Sequence, residues 1–299
     1  MKKKKRFNPG GLKFRNEMLA LALLAPTIAL FVLFKYYPII SGVFISFFKI
    51  NIVKLPGDFC GFDNYIRAFR DARFYTALFN NLKHFVYIMA MNFWCPILLA
   101  ILVDETRKSK GIFRLLYFIP SVAPAIVMTL LWKYFWQPDY GLANFLLGKL
   151  GVGPKLWLND KALVYFCMYF PNLVIVGGMQ LVYYLAALQD IPQELYEAAL
   201  VDGAGIWQRV RYVTLPGIKN IIFTFFLLQI INSFNICDNV MVLTGGGPGG
   251  STESMILYAF KQATESMDYS YAITMASIVF FITMFGTMLA NKITKKLEE

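Results

Sequence analysis

Six stretches of this 299-residue chain are too long and too apolar to pack inside one water-soluble domain. They occupy residues 18–48, 84–103, 115–136, 162–189, 221–244 and 269–291. A hydrocarbon layer of about 30 Å needs roughly 20 helical residues, at about 1.5 Å each. All six reach that length. Three carry no Asp, Glu, Lys or Arg; the others carry one each, Lys35, Lys133 and Asp238. In lipid, every backbone amide must be satisfied within its own segment or a closed barrel, so such stretches become helices. Only 16% of the residues are charged, against about 25% in soluble domains. The expected fold is therefore an all-α integral membrane protein with six transmembrane helices.

Charge sets the orientation. With both termini cytoplasmic, the inner segments hold 17 Lys and Arg and the outer segments hold 10. Positive residues favour the inner side, and the first helix usually dominates. The run Lys2, Lys3, Lys4, Lys5 and Arg6 then meets anionic headgroups. The first apolar stretch is too long for a signal-peptide core and reads as a retained span. Trp132, Trp136, Tyr140 and Trp157 form an aromatic belt at the outer ends of spans three and four. Lys35 and Lys133 lie near span ends, where their stems reach the interface. Outside the membrane, 51–81 reads as an extended entry followed by an amphipathic helix over about 64–79. The expected organisation is a cytoplasmic basic tail (1–17), a six-span transmembrane domain (18–292) with a cytoplasmic loop at 190–217, and a cytoplasmic tail (293–299).

Several chemistries are excluded by what the chain lacks. Cys60, Cys95, Cys167 and Cys237 show no Cys-x-x-Cys spacing, and His84 is the only histidine. No metal site or cofactor is expected. The net charge of +11 follows the positive-inside bias. No basic stripe interleaves with aromatic residues, so no nucleic-acid partner is expected. A phosphate-binding loop needs Gly-x-x-x-x-Gly-Lys-Ser/Thr; Gly148-Lys149 is followed by Leu150. The run from Gly245 to Gly250 contains Pro248 and opens no βαβ unit. Asp238 is the only intramembrane acid, so a proton or cation relay is not visible. One histidine and scattered acids assemble no catalytic group, so the chain is not read as an enzyme.

Between spans four and five lies a polar island. Asp190, Ile191, Pro192 and Gln193 read as a helix start, with Asp190 as N-cap and Gln193 at the capping-box position. Glu194 suits the positive helix N-terminus. Ala198 and Ala199 leave a shallow surface, and Gly203 ends the helix as a left-handed residue. Ile206, Val210 and Val213 mark a second helix at i, i+4, i+7, and Leu215-Pro216 breaks it.

At Glu197, Ala198, Ala199, Asp202, Gly203, Ala204, Trp207, Leu215 and Pro216, this island resembles the signature loop of ATP-binding-cassette importer permeases. Tyr37-Pro38, the run from Gly61 to Tyr65, Phe118-Ile119-Pro120, the run from Gln137 to Gly141 and the run from Leu243 to Gly249 extend the likeness. Together they resemble the maltose- and glycerol-phosphate-type branch of carbohydrate importers. The resemblance implies a type I ABC importer permease fold in a bacterial cell membrane. It implies a second homologous permease, two ABC ATPase subunits and an extracellular solute-binding protein as partners, beside membrane lipid. It also implies that Glu197, Ala198, Ala199, Asp202, Gly203, Leu215 and Pro216 dock the ATPase.

The solute path is read from polar groups inside spans. Gln229, Asn232 and Ser233 share one face of span five, and Asn172 and Gln180 lie in span four near Gly177-Gly178. Polar groups in lipid face a bundle interior or a cavity, and amides and hydroxyls suit a sugar or related polyol. Without the resemblance, a stand-alone six-span channel or secondary carrier for a small polar solute fits the same spans.

Overall fold

A computed structural model describes residues 9–51, 54–105, 110–175 and 178–298. Lys2 to Arg6, Arg107, Lys108 and Gly177 lie outside the described residues. The fold is mostly helical. Among the described residues, three helices are long and apolar enough to cross a membrane: Glu17–Ile45, Ala72–Glu105 and Tyr269–Lys292. Three bent pairs pass the same test when each is joined.

Prolines account for most of the irregularity. A proline lacks the amide that would bond the carbonyl four residues back, and its ring crowds that carbonyl. Wide π-type turns at Val32–Tyr36, Ile88–Phe93 and Val210–Thr214 sit just before Pro38, Pro96 and Pro216 and absorb the mismatch. Pro124 does more. It adopts ψ 130, outside the helical region, and span three bends by 98° between Leu115–Val122 and Ala125–Phe135. Span four bends by 49° between Val164–Val174 and Gly178–Gln189.

Four expectations are corrected. The helix of span two starts at Ala72, not near His84, because Asp71 caps it by accepting from the Arg73 amide at 2.8 Å. The outer amphipathic helix and span two are thus one rod, preceded by a short helix at Asp63–Arg70. The extended entry is a hairpin of Phe48–Asn51 and Lys54–Phe59, so the fold is not purely α. Phe48 faces Phe59 across it with ring centroids 5.3 Å apart, and Lys49 faces Asp58. Span five is not continuous to 244: Lys219–Phe234 ends and a short helix, Asp238–Leu243, follows. The Asn235 amide and side chain both donate to the Ile231 carbonyl, at 3.1 and 2.9 Å, and close the helix; Ser254 Oγ donates to the Ile236 carbonyl in the break. Lastly, Lys133 does not reach out to the interface. Its Nζ donates to the Val242 carbonyl at 2.8 Å and fastens the short helix to span three.

The core lies between spans. Phe93, Ile97, Ala100 and Val103 of span two pack with Leu181, Tyr184, Leu185, Leu188, Ile218 and Phe225. Toward the other end, Phe74, Ala77 and Phe234 pack with Met255, Tyr258, Tyr271, Met275 and Val279. None of the apolar window of Glu17–Ile45 is buried within the chain, although its last part, Tyr37–Ile45, lies against Tyr269–Glu298.

Candidate functional site

The polar island folds into a bent finger. Its first helix is Gln193–Val201, with Pro192 at the cap position. Asp190 is therefore not the N-cap; Pro192 takes ψ 129 and places the helix start two residues beyond the expected position. The C-terminal end follows the expected chemistry. Gly203 has φ +76, a left-handed conformation that residues with a Cβ avoid. The Ala204 amide donates to the Ala199 carbonyl at 2.9 Å and the Gly203 amide to the Leu200 carbonyl at 3.0 Å, a complete Schellman closure. The chain then turns through Gly205, whose amide donates to Gln208 Oε1 at 2.8 Å, into the helical segment Ile206–Gly217.

The finger is keyed to the bundle at its base. Tyr196 and Thr214 share a hydrogen bond at 3.1 Å, tying the two helices together. Ile191 lies against Gly217 so closely that an added Cβ there would sit 2.6 Å from its Cδ1. Ile191 and Leu215 pack on the cluster containing Ile218. At the tip the opposite holds: Val201 is 88% exposed, Trp207 73% and Ile206 64%. The expected stripe is split, since Val210 is buried while Ile206 is exposed, although the Val210 amide still bonds the Ile206 carbonyl at α-helical spacing. Glu197 is exposed and accepts from Gln193 Nε2 at 2.8 Å. Ala198, Asp202 and Pro216 are exposed, and Ala199 is half-buried. The finger thus has a fixed base and an apolar, uncovered tip, the form a docking surface takes.

The residues expected along a solute path do not converge. Gln229 and Ser233 are buried in the bundle, whereas Asn232 is exposed. The Ser233 carbonyl accepts from Asn81 Nδ2 at 2.7 Å. Asn172 lines a cavity with Thr129, Trp132 and Asn239; Gln180 is half-buried elsewhere.

A further polar group, unseen in the sequence, lies at the other end of the bundle. Arg73 Nε and Nη2 hold both carboxylate oxygens of Glu253, at 2.7 and 2.8 Å, and Lys261 Nζ adds a third contact at 2.9 Å. Burial pushes the Glu253 carboxyl up, but the bonds from Arg73 and Lys261 outweigh it and hold it below its ordinary value. Beside it, Asp71 accepts from Tyr258 and Tyr271. Burial and the Asp71 contact push the Tyr258 phenol up to about 12. Asn80, Asn81 and His84 bond Gly250, Met255 and Thr252, so span two grips the glycine-rich segment. The pairs that join 71–84 to the far segment are 168 to 200 residues apart, and no local pattern signals them.

Comparison with known proteins gives a consistent picture. The family model described as "Binding-protein-dependent transport system inner membrane component" matches residues 92–299. The probable ABC transporter permease protein YurN of Bacillus subtilis is 33% identical over 285 residues, spanning 94% of this chain and 97% of that one. The trehalose/maltose transport system permease protein MalF of Thermococcus litoralis is 29% identical over 283 residues, spanning 94% and 95%. The fold matches a chain of a bacterial alginate ABC transporter, solved in complex with an alginate pentasaccharide-bound periplasmic protein, with TM-score 0.83, 24% identity and coverage of 95% and 96%.

Proposed function

The chain belongs to the family of binding-protein-dependent transport system inner membrane components, and from that premise we propose that it forms, with a second permease, the membrane path for a sugar or related polyol. The solute is delivered by an extracellular binding protein. The transporter carries two ATPase subunits, one of which binds this finger, and ATP is hydrolysed in those subunits and not in this chain. The six spans place both termini in the cytosol, with 1–17 and 293–299 as tails, 18–292 as the permease domain and 190–217 as the coupling loop. Glu197, Ala198, Ala199, Asp202, Gly203, Leu215 and Pro216 form the coupling site. Gln229, Asn232, Ser233, Asn172 and Gln180 contribute to the solute path.

One observation supports the coupling role most: a finger keyed rigidly at Ile191, Tyr196 and Thr214 presents an uncovered apolar tip at Val201, Ile206 and Trp207. A rigid base lets a push on the tip move the ends of spans four and five. The sugar assignment draws on MalF, whose name gives trehalose and maltose as its solutes. The test is co-purification. Glu197→Lys should leave the chain inserted and folded but lose the ATPase. Retention of the ATPase at the wild-type level, or solute flux through the purified chain without ATP, contradicts the proposal.

A further inference from the structure

The open polar space in this chain is not along the face shared by Gln229, Asn232 and Ser233. It lies where the second half of span three meets the short helix Asp238–Leu243. Two cavities, of about 220 and 290 Å³, share Ala125, Thr129 and Asn239 as a common wall. The smaller adds Trp132 and Asn172, and the larger adds Asn235 and Asp238.

The wall is a hydrogen bond. Thr129 Oγ1 lies 2.8 Å from Asn239 Oδ1 and 2.9 Å from the Ala125 carbonyl. A hydroxyl has one proton to donate, so only one of these contacts is a full bond at any moment, and the other is exchangeable. Both sides of the wall are held still. Lys133 ties the short helix to span three at Val242. Trp132 is braced by Phe135 and Phe170, at centroid distances of 4.9 and 5.9 Å, and by Trp136 at 6.3 Å. Each cavity alone is smaller than a typical small-molecule site of about 300–1,000 Å³; joined, they fall within that range.

Among the described residues, the polar lining is an indole, three amides and the hydroxyls of Ser121 and Thr129, with Asp238 as the only charged residue. Amides both donate to and accept from sugar hydroxyls, and an indole face covers the apolar face of a pyranose ring. A carboxylate or phosphate on the solute would meet Asp238, while Lys133 is engaged by the Val242 carbonyl. We infer that Thr129, Trp132, Asn172 and Asn239 form a subsite for a neutral carbohydrate, whose hydroxyls replace the Thr129–Asn239 contact as it passes between the two cavities. This rests on the proposed transport function and adds to it a place and a solute class.

The test uses the complete transporter, with its partner permease, ATPases and binding protein, in proteoliposomes. A labelled panel of neutral and uronic-acid oligosaccharides is first offered to the wild type. The transported member then serves as the probe for Asn239→Ala, Trp132→Ala and the milder Thr129→Val and Trp132→Phe. The readout is sugar moved per ATP hydrolysed, which a simple loss of folded protein does not change. For a neutral sugar this ratio should fall about 3- to 10-fold in Asn239→Ala, the range for one lost hydrogen bond. It should fall in Trp132→Ala and Thr129→Val and hold in Trp132→Phe, while binding-protein-stimulated ATP hydrolysis persists. An unchanged ratio in Asn239→Ala and Trp132→Ala overturns the subsite but leaves the transport function standing. If those two fail to assemble, Thr129→Val decides alone, and an unchanged ratio there overturns it. Transport of uronic-acid members only overturns the neutral class. Transport of none refutes the sugar function and the subsite with it.

Discussion

Replacing Gly203 by Ala isolates the backbone conformation on which the finger depends. The residue sits at φ +76, and an added Cβ would meet nothing within 4 Å. No clash arises, so the whole cost is that of holding an L-residue in the left-handed region, about 1–2 kcal/mol. The free variant escapes that cost by opening the last turn, which breaks the Ala204–Ala199 and Gly203–Leu200 bonds. Glu197 and Trp207 then lose their fixed relation. Docking must restore it, so the strain appears in the docking equilibrium as roughly a 5- to 30-fold weaker complex. Asn tolerates this region better than other residues with a Cβ, and a β-branched residue tolerates it worst. The affinity of purified ATPase for the detergent-solubilised permease pair should therefore rank Gly above Asn, Asn above Ala, and Ala above Val. The melting temperature of the bundle should barely move, because Gly203 is exposed. Equal ATPase affinity across the four variants refutes the reasoning.

Two further expectations concern the distant end of the bundle. Arg73→Ala removes both of its bonds to a carboxylate that is only 4% exposed, leaving Lys261 as its remaining cation. The loss should be about 1.5–3 kcal/mol, read as a lower melting temperature in detergent; an unchanged value contradicts it. Acid should act on the same group. The folded state holds Glu253 below its ordinary value, so it favours the ionised form. That contribution is complete above the unfolded carboxyl value, about 4.3, and is lost as pH falls through the lower folded value. The melting temperature should drop on acidification through this window, and less steeply in Glu253→Gln. An identical acid response in both forms refutes the assignment.

Much of the architecture was legible because lipid makes hydropathy decisive. The long helices and two of the bent pairs fall on the apolar stretches read from the sequence, and the third pair joins the finger to span five. The finger was legible through Gly203, whose left-handed φ has a local signature. The start of that finger was misplaced because Asp190 and Pro192 both signal a helix entrance, and only the observed ψ of Pro192 decides between them. The break after Phe234 was hidden, since Ile236 and Cys237 continue the apolar count and the closing bonds come from Asn235 and Ser254. The hairpin at Phe48–Asn51 and Lys54–Phe59 was hidden for a related reason: its cross-strand pairs do not show in hydropathy. The clasp of Arg73 on Glu253 and the Thr129–Asn239 wall join residues 180 and 110 positions apart. Pairings of that kind leave no periodicity in the sequence.

The central claim is that the finger's tip is covered by the ATPase in the working transporter. A photoreactive residue in place of Trp207, which is 73% exposed in this chain, tests it most directly. Irradiation of the assembled, ATP-hydrolysing complex should give one dominant adduct, between this chain and the ATPase subunit. Adducts with lipid alone, or none while the ATPase remains bound, would contradict the account.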